Sequence, residues 1–233
     1  MYNELTFRIR VVRKWGQLNS YYTLSKNLSD DDNERDAGGV AFADPYDLRG
    51  EYNLSRLDRR HQFVANPVFF LPFGFEVSSA VRIRSGTPLN ATVAASDLNG
   101  DTVANDRPLR APGVTFKRNA FRNRNTFDVD MRIQKGFKFD ERKRLIFTAE
   151  FFNLFNFPNI IYPSPNTATS SGLTGQYCTS ASQTCGLAGP TNLNFHQIRD
   201  QVTTSSTFGQ LLVNNVNPGS QVFQMQLGAR FQF

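Results

Sequence analysis

Few residues in this sequence carry obvious chemistry, and they are scattered. Asp97-Leu98-Asn99-Gly100-Asp101 sets oxygen donors at Asp97, Asn99 and Asp101, the alternate spacing with which calcium loops begin. The stretch lacks the glycine at the sixth position of such a loop. It also has Pro108 where a bidentate glutamate would close the site. A turn rich in Asx residues reads equally well without a metal. Calcium therefore stands as a candidate at these three residues, and no other cofactor is expected. Cys178 and Cys185 enclose Thr-Ser-Ala-Ser-Gln-Thr, a spacing that fits neither a zinc site nor a Cys-x-x-Cys redox motif. Outside the cell such a close pair is expected as a disulfide. The histidines, His61 and His196, have no serine, cysteine or aspartate placed by the sequence to complete a triad. Asp128 and Asp130 share a strand face beside Arg132, as charged side chains do on the wet side of a sheet. The acidic run from Asp30 to Asp36 reads as a solvated loop, which could also attract divalent ions at a cell surface. No catalytic constellation emerges, and the chain is not expected to be an enzyme.

The alternation of the sequence predicts strands as the framework that carries these residues. In the last stretch Phe223, Met225, Leu227, Ala229, Phe231 and Phe233 fall on one face. Gln224, Gln226, Gly228, Arg230 and Gln232 fall on the other, because strand side chains alternate. An apolar face ending in an aromatic residue has the form of the C-terminal signal read by the outer-membrane insertion machinery. The same alternation predicts strands at Leu5–Val11, Leu18–Lys26, His61–Leu71, Phe75–Ser85, from Phe127 to Gln134 and at Leu145–Phe155, with a short one near Ala91–Ala95. That makes about eight strands in up-down pairs. Tight turns at Lys14-Trp15-Gly16, Pro72-Phe73-Gly74 and Asp140–Lys143 alternate with long polar loops, Gly16 being expected to supply a positive φ.

Strict alternation of short turns with long loops is the habit of outer-membrane barrels, whereas a soluble sandwich distributes loop lengths on both ends. Strands of roughly 9–12 residues suit a tilted bilayer crossing. Trp15, Phe69, Phe70, Phe73, Phe75, Phe137, Phe139 and Phe233 gather at the tight turns, where an interfacial girdle belongs. No run approaches the roughly 20 apolar residues of a membrane helix, and mean hydropathy (-0.41) does not detect alternating strands. A net charge of +6 raises the question of nucleic acid, but the lysines and arginines form no dense stripe, so none is expected to bind. The expected location is the bacterial outer membrane, with membrane lipid as a partner.

Several segments in order resemble one family. These are Tyr22-Thr23-Leu24-Ser25-Lys26, Asp58-Arg59-Arg60-His61-Gln62-Phe63, Ser85-Gly86-Thr87-Pro88, Asn105-Asp106-Arg107-Pro108, Glu150-Phe151-Phe152-Asn153-Leu154-Phe155-Asn156 and the final Phe233. Leu24 departs from the usual tryptophan. Together they resemble the C-terminal barrel of TonB-dependent outer-membrane receptors, specifically the Oar-like group that carries a carboxypeptidase-regulatory-like domain at its N-terminus. The resemblance implies a barrel of about twenty-two strands around a plug, of which residues 1–233 look like the last third, as a single segment. The signal peptide, regulatory-like domain, TonB box and plug have no counterpart here. The implied partners are the remainder of the barrel and plug, the insertion machinery, and TonB through the parts not present. The function so implied is transport across the outer membrane, with no substrate legible. Two alternatives stay open: a complete small outer-membrane barrel acting as adhesin or structural protein, and a soluble β-sandwich binding module.

Closure is a separate question. Eight tilted strands can close, but the interior is then just wide enough to be filled by side chains. Here the inward set would include Arg8, Arg10, Glu76, Arg82, Arg84, Asp128, Asp130, Arg132, Glu150 and Arg230. Their volume and desolvation suit a wide, wet lumen. The expectation is an open curved antiparallel sheet whose edges are the strands at Leu5–Val11 and Phe223–Phe233.

Overall fold

The computed structural model describes residues 1–31, 42–90, 99–102, 106–107, 109–111, 114–140, 143–161, 203, 204, 206, 208, 210, 217–218 and 222–233. Each long alternating stretch is a strand: β1 (Tyr2–Arg13), β2 (Gly16–Ser29), β3 (His61–Leu71), β4 (Phe75–Arg84), β5 (Thr126–Lys138), β6 (Arg144–Phe152) and β7 (Gln224–Gln232). They form an antiparallel meander in sequence order, and the eighth member of the sheet is the two-residue strand Asn53–Leu54 on the end of β2. The short strand expected near Ala91–Ala95 lies outside the described residues. The long strands are thus three hairpins and a seventh strand. β1 and β2 outrun their alternating cores because their ladder continues from Tyr2 opposite Asn27 to Arg13 opposite Gly16. Among the described residues β1 is paired only with β2 and β7 only with β6, so the sheet is open as expected.

The turns differ in one respect from the sequence expectation. Gly16 is not among the residues with positive φ; among the described residues the glycines that take it are Gly74 and Gly100. Gly16 is needed for space instead, since a Cβ there would sit 2.5 Å from the carbonyl oxygen of Val68 on the next strand. Pro72-Phe73-Gly74 is a tight turn closed by the Phe75 N–H donating to the Pro72 carbonyl, with Phe73 at φ 61° and Gly74 at φ 75°, both left-handed rather than helical. In the third turn the Asp140 carboxylate accepts the backbone N–H of Lys143 at 2.7 Å.

Register settles the faces, because residues directly opposite one another in an antiparallel ladder share a side. Phe7 stands opposite Tyr22, Tyr22 opposite Phe63, Phe63 opposite Ile83 and Ile83 opposite Phe127. On the other half, Ile133 stands opposite Ala149 and Ala149 opposite Leu227. One apolar face therefore runs unbroken across all seven strands. The β3–β4 ladder skips Asn66 and Pro67, where proline has no N–H to donate.

Burial is inverted relative to a soluble protein. Among the described residues the buried apolar side chains are only Ala43, Ala65 and Leu89. Ser20, Thr23, Ser25, Glu51, Ser55, Asp58, Asp106, Arg107, Asn119, Asn153 and Asn159 are all buried. Meanwhile Leu5, Phe7, Ile9, Phe147, Met225, Leu227 and Phe231 are exposed, Leu227 at 70%. No second layer covers that face among the described residues. A soluble monomer rarely exposes an apolar patch beyond a few hundred Å², so a water-filled surrounding is the wrong solvent for this sheet and the β-sandwich alternative falls.

Two aromatic bands bound the apolar face. At the turn side Trp15 stacks on Phe69 (6.1 Å) and Phe137 meets Phe147 edge-on (6.0 Å). At the loop side Phe127 packs on Phe157 (5.5 Å), Phe151 on Phe223 (6.5 Å) and Tyr22 on His61 (6.2 Å). Ten steps along β5 separate Phe127 from Phe137. At ~3.4 Å per step and a tilt of ~40°, that spans about 26 Å of bilayer, close to the ~25 Å apolar band of outer-membrane barrels. Lys135 falls on the apolar face at its turn-side rim. Its ammonium lies 4.3 Å over the Phe75 ring and donates to the carbonyl of Phe73, so the charge leaves the apolar band at its edge.

Candidate functional site

The polar face of the sheet and the loops folded against its end are where this protein can meet a solute. On the face, Arg82 pairs with Asp130 (2.9 Å) and Arg132 with Glu150 (3.7 Å), each across neighbouring strands. Asp128 and Asp130 do not act as a pair, and Arg132 serves neither. Asp130 accepts the backbone N–H of Asn153 (3.0 Å), and Asp128 accepts the side-chain amide of Asn159 (3.1 Å). Ser78, Asp130, Arg132 and Glu150 line a shallow depression here. The arrangement holds charge in place along a wall; it offers no nucleophile beside a base.

At the loop side, β6 ends in a device built from asparagines. Asn153, Asn156 and Asn159 all take positive φ (47°, 50° and 40°), which asparagine tolerates better than most side chains. Asn159 accepts the N–H of Phe127 at 2.8 Å and donates to its carbonyl at 2.9 Å, so its amide behaves as one more ladder residue for β5. Asn156 accepts the N–H of Phe223 on the other side. Asn159→Ala should cost about 2–4 kcal/mol of local stability, from orphaned buried groups and a strained left-handed alanine. Hydrogen exchange at Phe127 and Asp128 would read it, and unchanged exchange would refute this role.

The first two long loops interlock through buried charge. Glu51 is 1% exposed, and Arg107 grips its carboxylate with two bonds, 3.0 Å to Oε2 and 2.6 Å to Oε1. The Glu51 carboxylate also accepts the N–H of Ala43 at 3.2 Å, while Arg107 Nε donates to the Phe116 carbonyl at 3.0 Å. Arg118 donates to the backbone carbonyls of Glu51 and Ser29. Asp58, equally buried, accepts the N–H of Asn27 at 2.7 Å and is paired with Arg122 at 2.5 Å. Asn119 donates to the Leu54 carbonyl at 2.8 Å. Gly86 is required where the second loop leaves β4 against its own returning end, since a Cβ there would lie 1.9 Å from the Asn123 carbonyl oxygen. Burial of Arg59, with Arg84 nearby, pushes its pKa down.

Most of the segments that carried the family resemblance converge on this end. Ser25 Oγ donates to the Arg59 carbonyl (2.8 Å), the Tyr22 hydroxyl bonds to His61 Nδ1 (2.7 Å), and Ser85 Oγ accepts the His61 N–H (3.0 Å). Glu51, Arg118 and Arg122 were not singled out by the sequence, where they lie in long polar loops, Glu51 in the one between β2 and β3. That stretch contains the 3-10 turn Leu48–Gly50 and the Asn53–Leu54 strand.

The remaining sequence candidates fall as follows. Asn99 donates to the Ala43 carbonyl (2.7 Å) and to the Asp101 carboxylate (3.3 Å), and accepts the Asp101 N–H (3.0 Å). Asp97, Cys178, Cys185 and His196 lie outside the described residues, and no cluster of three acidic, histidine or cysteine side chains forms among those described. Phe223, Met225, Leu227, Ala229 and Phe231 share the exposed apolar face with Phe233 at its end.

Asp47 caps the Leu48–Gly50 turn. Its carboxylate takes the side chain and backbone N–H of Arg49, which lower its pKa to about 2. A folded pKa below the ordinary value of about 3.9 means the cap is present above that value and is lost as pH falls through about 2. An NMR titration of the Arg49 amide should show a midpoint near 2; one near 4 would contradict the cap.

A family model described as "Outer membrane beta barrel domain" matches residues 1–117 and 112–226. No curated protein and no solved structure matched the chain.

Proposed function

Because the chain belongs to the outer membrane beta barrel domain family and so sits in the bacterial outer membrane, we propose that it serves there as part of the wall of a TonB-dependent transporter of the Oar-like group. In this reading β1–β7 supply lipid-facing strands and a charged lumen wall, and the interlocked loops form part of the outer vestibule. The observation that carries the reading is the polar face: Arg82–Asp130 and Arg132–Glu150 stand on a wall too charged for a filled small barrel. Support comes also from the ordered segments that resemble the receptor family. Energy coupling would be supplied by a plug and by TonB acting through it. Any cation at Asp97, Asn99 and Asp101, and a Cys178–Cys185 disulfide, would be features of the vestibule.

The experiment is uptake by the producing bacterium with β1–β7 deleted, measured with and without a protonophore. Loss of protonophore-sensitive uptake of at least one solute in a broad nutrient panel is the expected result. Unchanged uptake of every solute with loss of surface attachment would replace transport with adhesion.

A further inference from the structure

Most arginines drawn out of water in this protein are matched by acids. Arg82 holds Asp130, Arg107 and Arg118 hold Glu51, and Arg122 holds Asp58. Arg59, Arg60 and Arg84 depart from this: each is partly buried, and none forms an ion pair with a described residue. Two of the three meet at one corner. Arg59 Nη1 donates to the Ser85 carbonyl at 3.1 Å, which sets its guanidinium against the end of β4, one residue from Arg84. Arg84 stands on the polar face, opposite Gln62 of β3 on one side and Thr126 of β5 on the other. Burial, and after it the charge of Arg84, pushes the Arg59 pKa down.

The acids around this corner are engaged elsewhere. Asp58, which precedes Arg59 in the chain, is fully buried against the Asn27 N–H and the Arg122 guanidinium. Asp128 stands opposite Arg82 rather than Arg84 and accepts the Asn159 amide, while Asp130 takes Arg82. The two guanidiniums therefore lie together with about two positive charges unbalanced and most of their donors open, since each fork carries five N–H groups. Arg59 commits one of its five to Ser85. Flat forks of this kind match the oxygens of phosphate and carboxylate. A phosphate monoester carries about −1.5 to −2 at pH 7, enough to balance the pair, whereas one carboxylate would balance half of it. Gln62 and Thr126 flank Arg84 with neutral polar groups and bring no opposing charge.

We propose that Arg59 and Arg84 form a binding site, at the loop end of the polar face, for the phosphate monoester group of a water-borne solute. The terminal oxygens accept from the two forks, and no bond is made or broken. Because Arg84 stands on the face opposite the lipid-facing side chains, the phosphate arrives from water and not from a membrane lipid. The site rests on charge balance and register, not on the transport reading, and it stands whether or not its solute is carried across the membrane.

The test uses the full chain folded in dodecyl maltoside micelles, which bring no phosphate of their own, at low ionic strength. Calorimetric titration compares inorganic phosphate, acetate and the short-chain lipid dihexanoyl phosphatidate. Inorganic phosphate is expected to bind more tightly than acetate, and the phosphatidate no more tightly than inorganic phosphate. Arg59→Gln and Arg84→Gln should each weaken phosphate binding by about tenfold or more. Arg84→Lys keeps the charge but loses the fork, so it should fall between the unsubstituted chain and Arg84→Gln, with amide exchange in β4 and β5 reporting that the sheet is intact. Arg144→Gln removes the same charge from an exposed position at the turn end of β6 and should leave the affinity unchanged. No phosphate binding, tighter binding of acetate, an equal loss in Arg144→Gln, or unchanged affinity in the Arg59 and Arg84 variants would overturn the proposal. Phosphatidate binding without inorganic phosphate binding would overturn it too, in favour of a lipid site.

Discussion

Arg107→Ala is expected to unlock the first two loops and leave the sheet in place. The substitution removes both bonds to a glutamate that is 1% exposed and leaves that charge with the Ala43 N–H and Arg118, 3.9 Å away. Breaking one side of a buried ion pair costs about 3–5 kcal/mol, because the remaining charge keeps its desolvation penalty without its partner. The loss is local. Amides of Glu51 and Arg118 should exchange faster by orders of magnitude, while those of β4 and β5 should not change. Replacing both partners with apolar residues, Glu51→Leu with Arg107→Met, should recover much of the loss, since no charge is then stranded. If Arg107→Ala alone left loop exchange unchanged, the pair would not be what locks the loops.

Leu227→Arg should be the second large effect. Leu227 lies near the middle of β7, opposite Ala149 on the apolar face. An arginine there has to enter lipid, at a cost of about 2–4 kcal/mol near the bilayer midplane. Gln226→Arg, one residue away, faces the lumen opposite Glu150 and should be tolerated. Denaturant titration of folding into phospholipid vesicles separates them. Equal losses at the two positions would deny the lipid assignment.

The two sets of residues differ in how legible they were. From Phe127 to Ile133 the alternation is strict, and lipid on one side with water on the other imposes that pattern on every strand that crosses. Local periodicity therefore carried the faces. Lys135 breaks the period, and only the position of its ammonium at the rim, beside Phe75 and the turn, explains it. Tight turns could be located from Pro72-Phe73-Gly74, but the role of Gly16 depends on the neighbouring strand, which local sequence does not show. Asp58 and Arg107 stood in segments that could be singled out, but no local signal told which residues they pair with. Glu51 is one acid in a polar stretch, and its arginine lies 56 positions away; Asp58 and Arg122 are 64 apart. Burial that depends on such distant partners leaves no period to read. The asparagines after β6 were visible as a segment, but their service to β5 and β7 required the register of both ladders.

One face of this sheet meets lipid and the other a watery lumen. The most direct measurement is a nitroxide scan along β5 in phospholipid vesicles, on a background with Cys178 and Cys185 replaced by serine. Accessibility to molecular oxygen is compared with accessibility to a water-soluble nickel chelate. Val129, Met131 and Ile133 should favour oxygen while Asp128, Asp130 and Arg132 favour the chelate, alternating residue by residue. A uniform profile, or the reverse alternation, would contradict it.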